Sequence, residues 1–576
     1  MNKELILSHI SGLDCTARLV EAGCKLVVEF VVNEKNVTLI HTFPDELISM
    51  PKFYLSNVQD FGKLAHILTN QNDESGEVCI TDALSTAINT DQPELAYRDT
   101  VDKHLQLLTQ LIEDPAYNHA EQLREFDAHW KILCDNAAGG SNELFVVWDG
   151  NSSESMQVRP PRLETGSDLQ TKPVALAGSY TSDRNLTYAL AIAKLETRQV
   201  IGKAISIWLS HLEPPPATQY NLLEWYFRIV AFADQPSQRE LRKLRKKKYR
   251  EFWLVFSAQI PNGETMFALH WNACSRSTFP ASLDGIEADN WTVTPYRVRS
   301  ISPSALIPRG GGSLDLKGMS VLLVGCGSVG SEIALRLTSA GVGQLTLSDP
   351  DKFSEENLYR HILSVRDIGR LKTEALAELV IQKNPWVTID AFDKSLQEFR
   401  NPVILNKFDL VIVAIGCSNV ERVFAEFCNQ EAINVPVINC WLEGFGIGGH
   451  AIISIPSTKG CWHCAYVDPK TLTRGLTSNL NFLSPGQMIM RNHRGCGTQF
   501  LPYNGIAAGY TAAIAADLAV RFLEGQITSS SKVSWKGVDV EAKRASLTTT
   551  WRYRHFTDSL HILPLHDNNC DLCVAR

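Results

Sequence analysis

The sequence lacks the marks of export and of membrane insertion. Its first residues, Met1 to Leu5, carry no basic segment followed by an apolar run, so no secretory signal is expected. No uninterrupted apolar stretch reaches the roughly 20 residues needed to span a bilayer. The best, Gly509 to Phe522, is broken by Asp517 and Arg521. There is no internal repeat of fixed period. Nor is there an excess of positive charge: 55 Lys and Arg against 63 Asp and Glu leave a net charge of −8. A protein whose main task is to coat nucleic acid or a membrane is disfavoured by that balance. Wholesale disorder is disfavoured too, because 44% of the residues are apolar and only 20% charged. Fourteen cysteines in such a chain read as reduced thiols, metal ligands or nucleophiles rather than a disulfide framework, and the expected location is cytoplasmic.

What is present divides by texture. At 576 residues the chain has room for roughly three to five domains. Residues 1–135 mix strand-like runs, such as Lys25 to Val32, with a helical pattern from Asp99 to Ile112 in which Val101, Leu105, Leu108 and Ile112 share a face. A Gly/Asn/Ser-rich boundary follows at 137–142. Residues 143–300 alternate strand candidates (144–148, 252–256) with helix candidates (188–196, 222–232), separated by Pro214-Pro215-Pro216. The basic run from Arg239 to Arg250 could hold a nucleic acid or an acidic partner, the plainer reading being a solvated helical face. From 301 onward the order becomes strand–helix–strand, as in a doubly wound parallel sheet.

The chemistry concentrates in that last part. The apolar run Val321 to Val324 leads into Gly325-Cys326-Gly327-Ser328-Val329-Gly330 and then into a helical pattern. Glycines at those positions allow a tight turn and close approach of a phosphate to a helix N-terminus. A second strand, Gln344 to Ser348, ends at Asp349, about 20 residues on, where a carboxylate can bind ribose hydroxyls. This much suits a nicotinamide dehydrogenase as well as an ATP-using enzyme. The residues that follow decide between them: Asp351, Asn357, Arg360 and, after Gly369, Lys372. Hydride transfer has little use for Asn, Arg and Lys aimed at phosphates, whereas attack on an α-phosphate with loss of pyrophosphate needs them.

This ordered set resembles the ThiF/MoeB/ubiquitin-activating, or E1-like, adenylation superfamily. The resemblance implies that Gly325, Gly327 and Gly330 cradle ATP. It places Asp349 on the ribose, Asn357 and Arg360 on the phosphates and Lys372 on the leaving group. Where the family usually supplies an acid for Mg2+, this sequence has Ser418, which leaves Asp349 or Asp351 and water. An Arg contributed by a partner subunit has two candidates here, Arg299 and Arg309.

Two further cysteine patterns stand out. Cys461-Trp462-His463-Cys464 and Cys570-Asp571-Leu572-Cys573 supply the four thiolates of a tetrahedral Zn2+ site, with a pair of redox CxxC motifs as the alternative. Cys496, between Gly495 and Gly497 and close to Arg491, His493 and Arg494, has the neighbours of an accessible thiolate. In thioester-forming E1-like relatives the catalytic cysteine occupies about this place. Cys326, Cys417, Cys428 and Cys440 read as structural.

The N-terminal part has a candidate nucleophile of its own. Cys79 follows Gly76-Glu77-Val78, and His66 precedes it. This is similar to a ubiquitin-conjugating, E2-like domain, except that Ile67-Leu68 stand in place of the usual Pro-Asn. An oxyanion donor would then come from Asn70 or Asn72.

Taken together the chain resembles the bacterial E2–E1 fusion proteins of CBASS anti-phage operons, and the segment Trp441 to His450 also looks like that group. The resemblance implies an α/β fold. A Rossmann-like adenylation domain with zinc (301–576) is preceded by an α+β E2-like domain (1–135) and an α/β linking, inactive-adenylation-like domain (143–300). It implies ATP, Mg2+ and Zn2+ as cofactors and a homodimer that uses neither membrane nor nucleic acid. The partner it implies is a cGAS/DncV-like nucleotidyltransferase, whose C-terminus is adenylated, passed to Cys496, then to Cys79, then to an amine of an acceptor protein. A sulfur-carrier adenylyltransferase, a nicotinamide oxidoreductase and a non-enzymatic nucleotide-binding scaffold are the rival readings.

Overall fold

The structure is a computed structural model. It describes residues 2–69, 74–80, 87–137, 142–150, 154–159, 173–177, 182–192, 202–216, 218–281, 288–456, 458–492 and 499–574. The chain divides into two compact units, Met1–Ser302 and Pro303–Arg576.

The first unit opens on a six-stranded antiparallel sheet. The strands Thr16–Val20, Lys25–Val32, Lys35–Thr42 and Tyr54–Ser56 run side by side in chain order, followed by Ser75–Val78 and, at the edge, Ile67–Leu68. Alternation explains the sheet: Leu26, Val28, Phe30, Val37 and Leu39 fall on one buried side. That side is covered by the helix Pro93–Glu113, where Tyr97, Val101, Leu108 and Leu111 recur at helical spacing and Pro93 starts the first turn.

The remainder of this unit departs from expectation. Residues 143–300 form a closed seven-stranded barrel in the order 202–209, 248–260, 263–278, 291–300, 143–147, 174–177 and 155–159, rather than an α/β layer. The apolar run 252–256 is only the centre of a long strand, Lys248–Ile260, which pairs with a second long strand, Gly263–Thr278. Polar residues flank the apolar centres of both, so each reads as shorter than it is. The helices Phe126–Asp135 and Leu222–Val230 close one side of the barrel through Phe126, Trp130, Trp225 and Tyr226. The basic run is split: the helix Gln235–Leu244 carries its first half, and Lys248 already starts a strand.

Buried histidines give this unit a pH dependence. Burial lowers the pKa of His41, whose Nε2 lies 2.8 Å from the Tyr97 hydroxyl, and of His104, and lowers that of His129 to about 4. These rings fold neutral, so stability falls as pH drops below the unfolded value near 6.5. His66 works the other way. Burial pulls it down, but ion pairs with Glu125 and Glu121 raise it overall. Three rings against one predict a lower thermal midpoint at pH 5 than at pH 7, measured by circular dichroism. A flat or rising profile would contradict the prediction.

The second unit is built on an eight-stranded mixed sheet. Its strands lie in the order Thr388–Phe392, Gln344–Ser348, Ser320–Val324, Leu410–Val413, Val437–Leu442, Gly448–Ser454, Ser531–Lys536 and Leu563–Pro564. The first five are parallel and the rest antiparallel. Both faces are covered. Val321, Leu323 and Ile412 pack under the helices Ser328–Ala340 and Gly505–Leu523, while Leu322, Val411 and Val413 pack against Leu396, Phe399 and Phe424. The helix Gly505–Leu523 is long and apolar enough to cross a membrane by length and composition, and half of its apolar window is buried. Its Ala507, Ala508, Ala512, Ala515 and Ala519 are buried, and small side chains let it approach the sheet closely. The chain reverses direction across the sheet between 320–324 and 410–413, the crevice where open α/β sheets bind ligands.

Candidate functional site

At that crevice the strand Ser320–Val324 ends in a loop that only glycine can make. Gly325 has φ +94°, and a Cβ there would lie 2.7 Å from the Ala414 carbonyl oxygen. A Cβ on Gly330 would lie 1.8 Å from the Gly325 carbonyl oxygen. Around Gly327 the situation is the reverse: among the described residues nothing comes within 4 Å of a built Cβ. Two glycines are therefore required by packing, and the middle one leaves the backbone open to a ligand. The helix Ser328–Ala340 begins there without a side-chain cap, so the N–H groups of its first turn face the same space.

Two side chains hold this loop. Asp349 is buried at the end of Gln344–Ser348; its Oδ2 accepts from the Cys326 N–H at 2.7 Å and its Oδ1 from the Asp351 N–H at 2.9 Å. The residue expected on the ribose thus also fixes the glycine loop from behind. His361, which sequence reasoning passed over, holds it from the other side. Its Nδ1 accepts from the Leu363 N–H at 3.1 Å, so its Nε2–H donates to the Cys326 carbonyl at 2.8 Å. Burial lowers its pKa, and the Lys372 charge adds to the effect, which keeps the ring in this neutral form.

The expected phosphate ligands gather nearby. Arg360 lays its guanidinium 4.9 Å over the Tyr503 ring, and the Tyr503 hydroxyl stands 3.4 Å from Ser328 Oγ at the helix start. The Nε of Arg360 is buried with no hydrogen-bond partner among the described residues. A buried guanidinium nitrogen left unsatisfied is costly unless a ligand completes it. Lys372 opens the helix Lys372–Lys383, and its Nζ lies 2.8 Å from Asp351 Oδ2, the lysine being buried and the aspartate exposed. Asn357 accepts from the Ser354 N–H and hydroxyl, both at 3.3 Å, and so closes the turn that precedes Arg360.

Ser418 is exposed at the first turn of Ser418–Gln430, beside a cavity of about 470 Å³. One turn on, the same cavity is lined by Glu421, an acid that sequence reasoning did not single out. Burial raises its pKa to about 7, and its Oε2 accepts from Asn439 Nδ2 at 3.3 Å. Arg299 lies exposed on the strand Trp291–Ser300, and Arg309 ends the helix Pro303–Arg309.

The cysteines separate clearly. Cys461, Cys464, Cys570 and Cys573 are buried with all four sulfurs within 4.8 Å of one another. Three of their spacings are 3.5, 3.6 and 3.7 Å. Four sulfurs at about 2.3 Å from a common centre stand about 3.8 Å apart, so the spacing suits a tetrahedral zinc and is far too long for disulfides. Cys326 and Cys440 are buried, and burial pushes both thiols up, consistent with structural roles. The half-buried Cys428 is likewise pushed up to about 12, whereas Cys417 is exposed just ahead of the helix Ser418–Gln430. Cys496 lies outside the described residues, between the paired segments Arg491–Asn492 and Gln499–Phe500. Asn70 and Asn72 lie outside them as well.

In the first unit Cys79 directly follows the strand Ser75–Val78, and its N–H donates to the His66 carbonyl at 2.8 Å. The residue is partly exposed and lines a cavity of about 200 Å³ together with Lys52, Lys103 and His104. The Lys52 ammonium is held 2.8 Å from Glu77.

Residues 299–572 match the ThiF family. The chain is 24% identical over 368 residues to the ATP-dependent ubiquitin transferase-like protein Cap2 of Pseudomonas aeruginosa (strain BWHPSA011 / Pa011), covering 63% of each chain. That alignment therefore spans just under two thirds of the relative's own length. To the protein of the same name from Escherichia coli (strain TW11681) it is 24% identical over 424 residues, 68% of this chain and 69% of the other. Among solved structures, E. coli MccB with succinimide aligns at a TM-score of 0.32 and 18% identity, covering 46% of this chain and 68% of that one.

Proposed function

We propose that this chain, which matches the ThiF family over residues 299–572 and is homologous to Cap2 over most of its length, is an enzyme of the ThiF/E1 kind that uses ATP to activate the C-terminal carboxylate of a partner protein. The observation that carries the reading is Arg360, whose buried Nε lacks a partner among the described residues beside the open glycine loop. A phosphate oxygen completes it. A carboxylate oxygen of the partner attacks the α-phosphorus as the α–β phosphoanhydride bond breaks, and pyrophosphate leaves with the negative charge. Arg360, Lys372 and the N–H groups at the start of Ser328–Ala340 stabilise that charge as it develops. Lys372 exchanges Asp351 for a phosphate oxygen, which frees the exposed Asp351 carboxylate toward Mg2+ and supplies the acid that Ser418 cannot. Magnesium held there would supply charge neutralisation of the phosphate oxygens. Asp349 orients the ribose while it fixes the loop.

The acyl group then moves twice without further ATP. The Cys496 thiolate attacks the acyl carbon and AMP leaves; the Cys79 thiolate attacks the resulting thioester and Cys496 leaves; finally an acceptor amine displaces Cys79 and an amide forms. Residues 1–135 serve as the E2-like domain in this scheme, and Cys79 is suited to it by partial exposure at a strand end. The partner is a cGAS/DncV-like nucleotidyltransferase in a CBASS setting, the enzyme is a homodimer, and the four-cysteine cluster holds zinc.

The test is a trapping experiment. Cys79→Ser, purified from its native host with MgATP, converts a labile thioester into a stabler oxyester. The expected result is an adduct on the peptide containing position 79 that carries the partner's C-terminal sequence and vanishes when Cys496→Ala is added. Acyl-AMP formed without that adduct would leave an adenylating enzyme whose first domain only binds.

A further inference from the structure

Within the first unit a cavity of about 400 Å³ lies where the edge of the antiparallel sheet, the helix Phe126–Asp135 and the segment after Pro214 come together. The relay described above makes no use of it. Its size is that of a small-molecule site, and its polar lining includes Gln59, Lys63, Thr69, His129, Asn136 and Thr218.

Among the described residues, the charges around it leave one cation over. His66, held in a left-handed backbone conformation with φ +61°, is clamped between two acids. Its Nδ1 lies 2.8 Å from Glu125 Oε1 and its Nε2 3.0 Å from Glu121 Oε2. The other oxygen of Glu125 accepts the His66 N–H at 2.8 Å, and the other oxygen of Glu121 pairs with Arg124. Two carboxylates are thus matched by the protonated His66 and by Arg124. Lys63 has no such match: among the described residues its ammonium donates only to the Pro215 carbonyl. A partly buried ammonium satisfied by a single carbonyl is poorly compensated, and burial accordingly lowers its pKa to about 8.

His129 supplies the second half of the site. Its side chain is only 8% exposed, and its Nε2 has no hydrogen-bond partner among the described residues, Glu125 Oε2 standing 4.0 Å away. That distance is too long for a hydrogen bond. The ring is neutral, held so by burial and by the Lys63 charge, so an arriving anion selects the tautomer with its proton on Nε2. We propose that this cavity binds a single anionic group, a carboxylate or a phosphate, with the Lys63 ammonium and the His129 imidazole as its donors. The ligand cancels the one charge, and satisfies the one ring nitrogen, that the described residues of this cavity leave unmatched. Hydroxyls and amides of Thr218, Asn136 and Gln59 are placed on the walls for its remaining atoms.

The experiment uses the full chain with 13C-labelled histidine, the His129 signal being identified by its loss in His129→Gln. Sodium acetate and sodium phosphate are titrated at about pH 7 against sodium chloride of equal ionic strength. The expected result is a saturable His129 shift with acetate or phosphate and none with chloride. Apparent affinity falls at least ~10-fold in Lys63→Met and returns in Lys63→Arg. Because the readout is local, phosphate bound at the glycine loop does not produce it. Tighter binding of a short peptide than of its C-terminal amide assigns the carboxylate to a protein chain end; tighter binding of phosphate assigns a phosphorylated small molecule. The absence of an anion-specific shift in the wild type overturns the proposal whether or not Lys63→Met folds, and an undiminished shift in Lys63→Met overturns it equally.

Discussion

Arg360→Ala and Lys372→Ala are each expected to lower MgATP–pyrophosphate exchange by about 10²–10³-fold, the cost of removing one preorganised donor from a developing charge. Neither change should unfold the protein. The Arg360 Nε makes no hydrogen bond among the described residues, so deletion of the guanidinium strips no partner from it, and the loss is confined to stacking on Tyr503. Removing Lys372 leaves Asp351, whose exposed carboxylate water can solvate. The decisive pairing is therefore exchange rate against thermal midpoint: exchange collapses while the midpoint moves by a few degrees at most. Arg360→Lys should recover part of the activity, since it restores charge without the planar fork. Wild-type exchange in Lys372→Ala would remove that residue from the leaving-group role. Wild-type exchange in both variants would move the chemistry away from this loop altogether.

The second large effect concerns the four buried sulfurs. The purified protein is expected to carry one zinc per chain, and Cys570→Ser to lose it together with much of the stability of the second unit. The cluster joins Trp462–Tyr466 to Asp571–Val574 within a small apolar core that includes Ile452, Trp462, Tyr466, Val467, Leu480 and Leu565. Loss of a structural metal ligand belongs to the mutations that cost on the order of 4 kcal/mol or more. In a unit of this size that is a drop of about 8–16 °C in the thermal midpoint. Inductively coupled plasma mass spectrometry and a thermal melt of the same sample decide it. A metal-free wild type that melts like Cys570→Ser would make the cluster four ordinary buried thiols.

The nucleotide loop was legible because its signal is local. An apolar run stops abruptly at glycine, a helical pattern starts three residues later, and Asp349 recurs after the next strand. The two CxxC hooks were legible for the same reason, each being complete within four residues. What holds these parts together was not legible, because it depends on segments distant in sequence. Asp349 reaches back 23 residues to the Cys326 N–H, His361 reaches back 35 to the carbonyl of the same residue, and Tyr503 reaches Ser328 across 175. His361 follows Arg360 directly, so its position was in view, but nothing local says that a histidine there supports a loop. The barrel was hidden differently: its long strands are apolar only in their middle portions, which alone resemble several short, unrelated strands. Glu421 was hidden by its type, since a glutamate on an amphipathic helix ordinarily faces water.

The spacing of the two sulfur hooks has a consequence for how the protein is made. Cys461 and Cys570 are 109 residues apart, and the helix Gly505–Leu523 and the strand Ser531–Lys536 lie between them. At about 5–20 residues per second a ribosome needs roughly 5–20 s to deliver the second pair after the first. During that interval the nascent chain presents Cys461 and Cys464 as an open pair of thiols, vulnerable to oxidation and to the wrong metal. Closure of the cluster thus waits for the second pair, and a chain truncated anywhere between the hooks lacks two of its four thiolates.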